Sequence, residues 1–188
     1  AGLALEAGLL HRGLDLARVG LLELDGHAVE LGALLLVLRL QRGALLAEHA
    51  LGTAVFWSQQ FGGRVDGADA LANIRDTAEG RAALRSLHGT APGGSVHLST
   101  TMLAAMLGLE RDGYRYFVTS IAGGSHSGGS LHYSGRAFDV DEVNGVRIYG
   151  DSALARGFMA ACWARGAVEV FGPSNDPSGH YDHIHCAF

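Results

Sequence analysis

The sequence predicts an α+β domain, a small antiparallel sheet with flanking helices, and three observations carry that prediction. Four segments rich in β-branched and aromatic residues read as strands: Tyr114 to Ile121, Arg136 to Val140, Val168 to Phe171 and His183 to Ala187. Among them lies a helical stretch with a cap at Asp151 or Ser152, running to about Arg165 and stopped by Gly166. Asn144-Gly145, a strong two-residue hairpin signal, follows the second strand. Strands gathered around one long helix, with a hairpin among them, point to α+β organisation.

The chain has 188 residues, enough for one ordinary domain with an N-terminal appendage. Its formal net charge of -5, with arginine and no lysine carrying the positive charge, leaves no basic excess for nucleic acid. The abundance of Ala, Gly and Leu suggests a GC-rich genome. The longest apolar run, Gly32 to Leu38, is stopped by Arg39, far short of the roughly 20 residues a membrane span needs. The chain begins at Ala1, which suggests that a signal peptide or earlier sequence has been removed. Cys162 and Cys186 match no Cys-x-x-Cys motif, and both one disulfide and two buried thiols fit them.

Residues 1–52 stand apart as a low-complexity segment built only from Ala, Gly, Leu, Glu, His, Arg, Asp, Val and Gln. Each of these types has a codon beginning with G or C, the bias expected when a GC-rich gene is read on its opposite strand. The segment is therefore either helical, with Leu14 to Leu24 and Leu31 to Leu40 as its helix-forming stretches, or a mis-called frame. His11, His27 and His49 are isolated and read as surface or packing residues.

Residues 53–98 read as a helical lead-in and linker. Phe56-Trp57 and Phe61 are aromatic anchors, and Ala68 to Leu87 has helical spacing. His88 to Gly94 is a turn or linker. Residues 99–188 form the expected core. Ser99 or Thr100 caps a helix to about Glu110, Asp112-Gly113 turns the chain, and Ala122 to Ser130 is a Gly/Ser loop.

The chemistry-bearing residues lie in this core, as His132-Tyr133-Ser134-Gly135-Arg136-Ala137-Phe138-Asp139 and Asp182-His183-Ile184-His185. On a strand, residues i and i+2 share a face, so His183 and His185 stand side by side. Two imidazoles so placed need a metal or distinct hydrogen-bonded roles. Gly135 allows a sharp turn that folds His132 back toward the strand carrying Asp139, and Ala137 is too small to crowd that face. One His, one Asp and one further His make three ligands of types zinc accepts, the pattern of a catalytic site with an open position. A structural site would need a fourth ligand, for which His126, His180 or a cysteine are the candidates. There is no His-Glu-x-x-His, no Gly-x-Ser-x-Gly and no phosphate-cradling loop. His126 and His180 read as exposed loop histidines, and Asp141 and Glu142 as solvated or in contact with a cationic group on the substrate. Tyr133 and Tyr181 sit beside the motif, as cleft or packing residues.

At these residues the chain resembles the zinc D-Ala-D-Ala carboxypeptidase and hedgehog-type family of metallopeptidases (peptidase M15-like). The pattern Ser-x-His-x-x-Gly-x-Ala-x-Asp reads Ser130 to Asp139 here, followed by the late His183-Ile184-His185, and the loop Ile121 to Ser127 is also similar. The similarity covers about residues 99–188. It implies a hedgehog/DD-peptidase-like fold and one Zn2+ ion held by His132, Asp139 and His185. It also implies Asp182 as general base and His183 as a residue that stabilises the oxyanion or passes a proton. Ser125, His126, Tyr133 and Arg136 are the candidates for substrate contact. The implied activity is hydrolysis of peptide bonds in peptidoglycan stem peptides, in the cell envelope of a bacterium, periplasmic or secreted, or from a phage. The alternative is a non-catalytic, zinc-containing binding module of hedgehog type. The carboxypeptidases often carry an arginine after the strand that ends here at Thr119-Ser120-Ile121-Ala122, and this chain has none between Arg115 and Arg136. That departure weakens exo-cleavage and leaves endopeptidase cutting open.

Overall fold

Every second residue of the strand Ala137–Val143 belongs to a different world. Phe138 and Val140 are apolar, Asp139 and Asp141 are acidic, and all four are buried. Strand alternation sends the two sets to opposite faces, so one face of the sheet becomes the core and the other the candidate site. The structure, a computed structural model, describes residues 43–188. The expectations for residues 1–42, including the helical stretches, the frame question, His11 and His27, lie outside the described residues.

In chain order the elements are α1 (residues 43–51), β1 (Ala54–Phe56), α2 (Ala70–Ala78), β2 (Ala83–Leu84), β3 (Ser95–Val96), α3 (Thr100–Arg111) and β4 (Tyr116–Ser120). They continue as β5 (Ala137–Val143), β6 (Val146–Arg147), α4 (Ala153–Ala164), β7 (Glu169–Phe171) and β8 (Ile184–Ala187). The main sheet runs β1-β4-β5-β8-β7, with β6 paired to β5, and β2 and β3 form a separate two-stranded ribbon. The architecture is α+β, as expected. The sheet is mixed rather than antiparallel throughout, because β1 pairs with β4 in parallel. A parallel pair needs a long crossover, and the stretch between β1 and β4 supplies one that contains α2 and α3. Sequence reading took Phe56 as an anchor and missed β1, which is only three residues long.

Local chemistry accounts for the element boundaries. The side chains of Asp69, Ser99 and Ser152 accept from Ala72, Met102 and Ala155 N–H and cap α2, α3 and α4. The helix expected over Ala68 to Leu87 is shorter: α2 stops at Ala78, where Gly80 turns with φ 81°, and the chain then enters β2. Asn144 (φ 52°) and Gly145 (φ 77°) make the left-handed pair that joins β5 to β6.

α4 packs on β5, β7 and β8 and also touches α3, while α2 packs on β1 and β4. Phe138, Val140, Phe158, Cys162, Val170, Ile184 and Cys186 belong to the resulting core. Cys162 of α4 and Cys186 of β8 are joined as a disulfide, which resolves the alternative left open by their spacing. Among the described residues no helix is long and apolar enough to cross a membrane.

Two predictions follow from this packing. The disulfide spans a sequence separation of 24, so the loop-closure model assigns it about 3 kcal/mol. Cys162→Ala/Cys186→Ala is expected to lower the denaturation midpoint accordingly; an unchanged midpoint would show that the bond adds nothing. The second concerns Glu110, whose carboxyl is pushed up to about 8 by burial and by the Glu48 carboxylate beside it, from 4.5. A raised folded-state pKa means that stability is full below about 4.5 and is lost as pH rises through about 8. Glu110→Gln is therefore expected to raise Tm by roughly 2–4 °C at pH 9 and to leave it unchanged near pH 4, as read by thermal melts across pH.

Candidate metal centre

His132 is placed by a short 3-10 turn, Leu131–Ser134, between a cap and a glycine. Ser130 Oγ accepts from His132 N–H at 3.3 Å, and Gly135 N–H donates to His132 O at 2.9 Å. Gly135 has φ 69°, and a Cβ there would stand 2.7 Å from His97 O, so a side chain is excluded both by conformation and by space. The turn delivers the His132 ring, 1% exposed, onto the face of β5 that carries Asp139. β8 supplies the third member through register alone, since Asp139 and His185 are directly opposed Cα partners.

His132 Nε2, Asp139 Oδ1 and His185 Nδ1 form a triangle with every edge 3.0 Å. Ligand atoms around a tetrahedral zinc with bonds of about 2.0–2.1 Å stand ~3.3 Å apart. The outward nitrogens have oxygen partners: His132 Nδ1 is 2.5 Å from Ile121 O, and His185 Nε2 is 3.1 Å from Glu169 Oε1. If those outer nitrogens carry the protons, the inner nitrogens and the carboxylate oxygen turn three lone pairs toward one point. A cation there satisfies all three. Without one, an imidazole proton bridges to Asp139 within the buried cluster. Burial alone would raise the Asp139 carboxyl, but His132 and His185 facing it hold it well below the usual carboxylate range. For His185, burial opposes the charged form but the hydrogen bond and charge of Asp139, with Glu169, push its pKa up.

His126 belongs to the same cluster: the sequence offers it both as a candidate fourth ligand and as an exposed loop residue, and it is half-buried against His132. Donor atoms of His126, His132 and Asp139 lie within 4.8 Å of one another, so this buried group can hold a metal ion. The His126 ring stacks on His132, with centroids 3.7 Å apart and planes 10° apart. Its Nε2 is 2.9 Å from Gly123 O and 3.1 Å from Ser120 Oγ. Burial and the neighbouring His132 pull its pKa down to about 4. Gly123 is needed for this loop to close: a Cβ there would sit 1.9 Å from Ala68 O.

Two cavities, of about 480 and 530 Å³, flank the cluster, and Ser125, His126, Asp139 and His183 line both. Gln60, Phe61, Arg64 and His88 complete the first, while Glu169, Phe171, His180 and His185 help to complete the second. His183 Nδ1 is 2.8 Å from Asp182 Oδ1, and that bond holds the Asp182 carboxyl below its ordinary value. Asp182 itself is 69% exposed in its side chain and lines neither cavity.

The other expected residues divide. Ser125 is in the cleft. Tyr133 is not: its hydroxyl accepts from His126 N–H at 2.7 Å and sits 3.1 Å from Thr90 Oγ1, so it braces the loop. Arg136 is exposed on the other side of the strand, where its Nε donates to Phe188 O. His180 is half-buried, 2.7 Å from Asp176 Oδ2, and lines the second cavity rather than standing free in solvent. Asp141 is buried and paired with Arg147 at 3.2 Å, not solvated. Tyr181 packs against Tyr149, ring centroids 4.6 Å apart. Arg64 and Glu169 had no sequence signal at all, since each reaches the cleft only through the fold.

Compared with protein-family models, with curated proteins and with solved structures, the chain finds no match in any of the three.

Proposed function

We propose that this protein is a zinc-dependent hydrolase of peptide bonds, acting on peptidoglycan stem peptides. The observation that carries the metal part is the triangle of His132 Nε2, Asp139 Oδ1 and His185 Nδ1, closed at 3.0 Å on every edge within a cleft. The substrate class rests on the resemblance of Ser130 to Asp139 and His183 to His185 to the zinc D-Ala-D-Ala carboxypeptidase and hedgehog-type family.

His185 is a better third ligand than His126. An imidazole lone pair lies in the ring plane, and two rings stacked 10° from parallel cannot both aim at one ion between them. The His132 and His185 rings are inclined at 58°, which lets both planes contain a common point. One carboxylate and two imidazoles make a donor set suited to zinc, and three protein ligands leave a position open.

Zinc in such a site supplies Lewis acidity toward a carbonyl oxygen and an attacking water. The proton work falls to the pair Asp182–His183. The family resemblance implies Asp182 as the general base, but of the two only His183 lines the cavities. With Nδ1 held by Asp182 at 2.8 Å, Nε2 of His183 is left to take a proton from water and return it to the leaving amine as the C–N bond breaks. Asp182 orients that ring. Arg64, in the wall of the first cavity, provides a cation for an anionic substrate end that the segment after β4 lacks.

The exposed position of Asp182 also favours a second reading, a zinc-containing binding module without turnover. Two measurements separate these. In metal analysis after loading and desalting, wild type and His126→Ala are expected to retain one zinc per chain. His132→Ala, Asp139→Ala and His185→Ala are expected to lose it; zinc retained in all of them would sink the site. In digestion of purified peptidoglycan read by mass spectrometry, wild type is expected to release cleaved stem peptides. His183→Ala and Asp182→Ala should slow that release by about 10²–10⁴-fold with zinc still bound. Zinc-loaded wild type that cleaves no wall chemotype would leave the binding module as the surviving reading.

A further inference from the structure

β7 carries an acidic residue where a strand has little reason to hold one, since Glu is depleted in strands. The pairing of β7 with β8 sets Phe171 opposite His185 and Glu169 opposite Ala187. Alternation therefore puts Glu169 and Phe171 on the face that bears His185, while Val170 and Cys186 turn to the core. Glu169 Oε1 reaches His185 Nε2 at 3.1 Å, and the Phe171 ring lies against the same imidazole, centroids 6.0 Å apart and planes 23° apart.

A neutral imidazole has one proton and two nitrogens. For Nδ1 of His185 to offer its lone pair to the point shared with His132 and Asp139, the proton must be on Nε2. An ionised carboxylate accepts and cannot donate, so Glu169 favours that tautomer over the other. It also adds negative charge to the ring and makes Nδ1 the stronger donor. Phe171 restricts rotation of the ring about its own axis. His132 is held by the same logic through Ile121 O, 2.5 Å from its Nδ1.

We propose that Glu169 is a positioning residue for the metal centre, fixing the tautomer and orientation of His185 through Nε2. This rests on the zinc reading and on His185 as a ligand. Glu169 acts through His185 alone, so its removal weakens the site without abolishing it.

The test compares wild type, Glu169→Ala, Glu169→Gln and His185→Ala as full chains, with Zn2+ titrated against a chromophoric chelator. Glu169→Ala is expected to bind zinc about 10–100-fold more weakly than wild type. Glu169→Gln keeps an acceptor oxygen at the same reach and is expected to recover most of that loss. His185→Ala should lose the site. The second readout is the Nε2–H of His185 in 15N-labelled, zinc-loaded protein: slow to exchange with solvent in wild type and Glu169→Gln, and fast in Glu169→Ala. Wild type that binds zinc with the same affinity as Glu169→Ala overturns the positioning role and leaves the metal centre standing. Wild type that takes up no zinc overturns the metal reading, and this proposal with it. Melting curves check folding, and Glu169→Gln carries the comparison if the alanine variant is unstable.

Discussion

The registration of β8 against β5 is the constraint on which the site depends. Asp139 faces His185 across that pair while Phe138 faces Cys186. A slip of β8 by one residue would turn His185 into the packing against α4 and bring Ile184 and Cys186 to the polar face. The register is held from the core side by the packing of Phe138, Val140, Ile184 and Cys186, and covalently by the link from Cys186 to Cys162. Apolar burial on one face thus does the positioning that the polar face needs. No loop has to be ordered to bring Asp139 and His185 together, so these two are in place before any ligand arrives.

The polar face carries an electrostatic cost that the neighbours offset. Removing a carboxylate from water is unfavourable unless it is paired and hydrogen-bonded. Asp139, 7% exposed, meets that condition through the imidazoles around it. The surrounding oxygens of Ile121 and Glu169 then decide which nitrogens hold protons. The inner donors and the outer acceptors form two concentric layers, and each histidine connects one layer to the other.

What could be read in the sequence was whatever local chemistry determines. Gly135 after His132 announces a turn, Asn144-Gly145 announces a hairpin, and Ser99 and Ser152 announce helix starts, because each acts within a few residues of itself. The alternation of Phe138, Asp139 and Val140 also showed which residues share a face. What could not be read depends on contacts between distant segments. Glu169 owes its place to diagonal approach across β7 and β8, and Arg64 to the packing of a loop beside the cleft. The parallel edge strand β1 is too short to leave a periodic signature. Asp182 shows the divide within one residue: the role expected of it comes from the family resemblance of the late motif, whereas its position behind His183 follows from how the chain enters β8.

The disulfide has a consequence for how the centre can open. Cys186 directly follows His185, and both sulfurs lie in the fully buried core beneath the sheet. Peeling β8 away from β5 would have to drag α4 out of its packing, so local fraying of this strand is coupled to global unfolding. His185 and Asp139 can therefore part only by side-chain rotation within an intact backbone. Any opening between them is a matter of rings turning in place, decoupled from the breathing of the sheet.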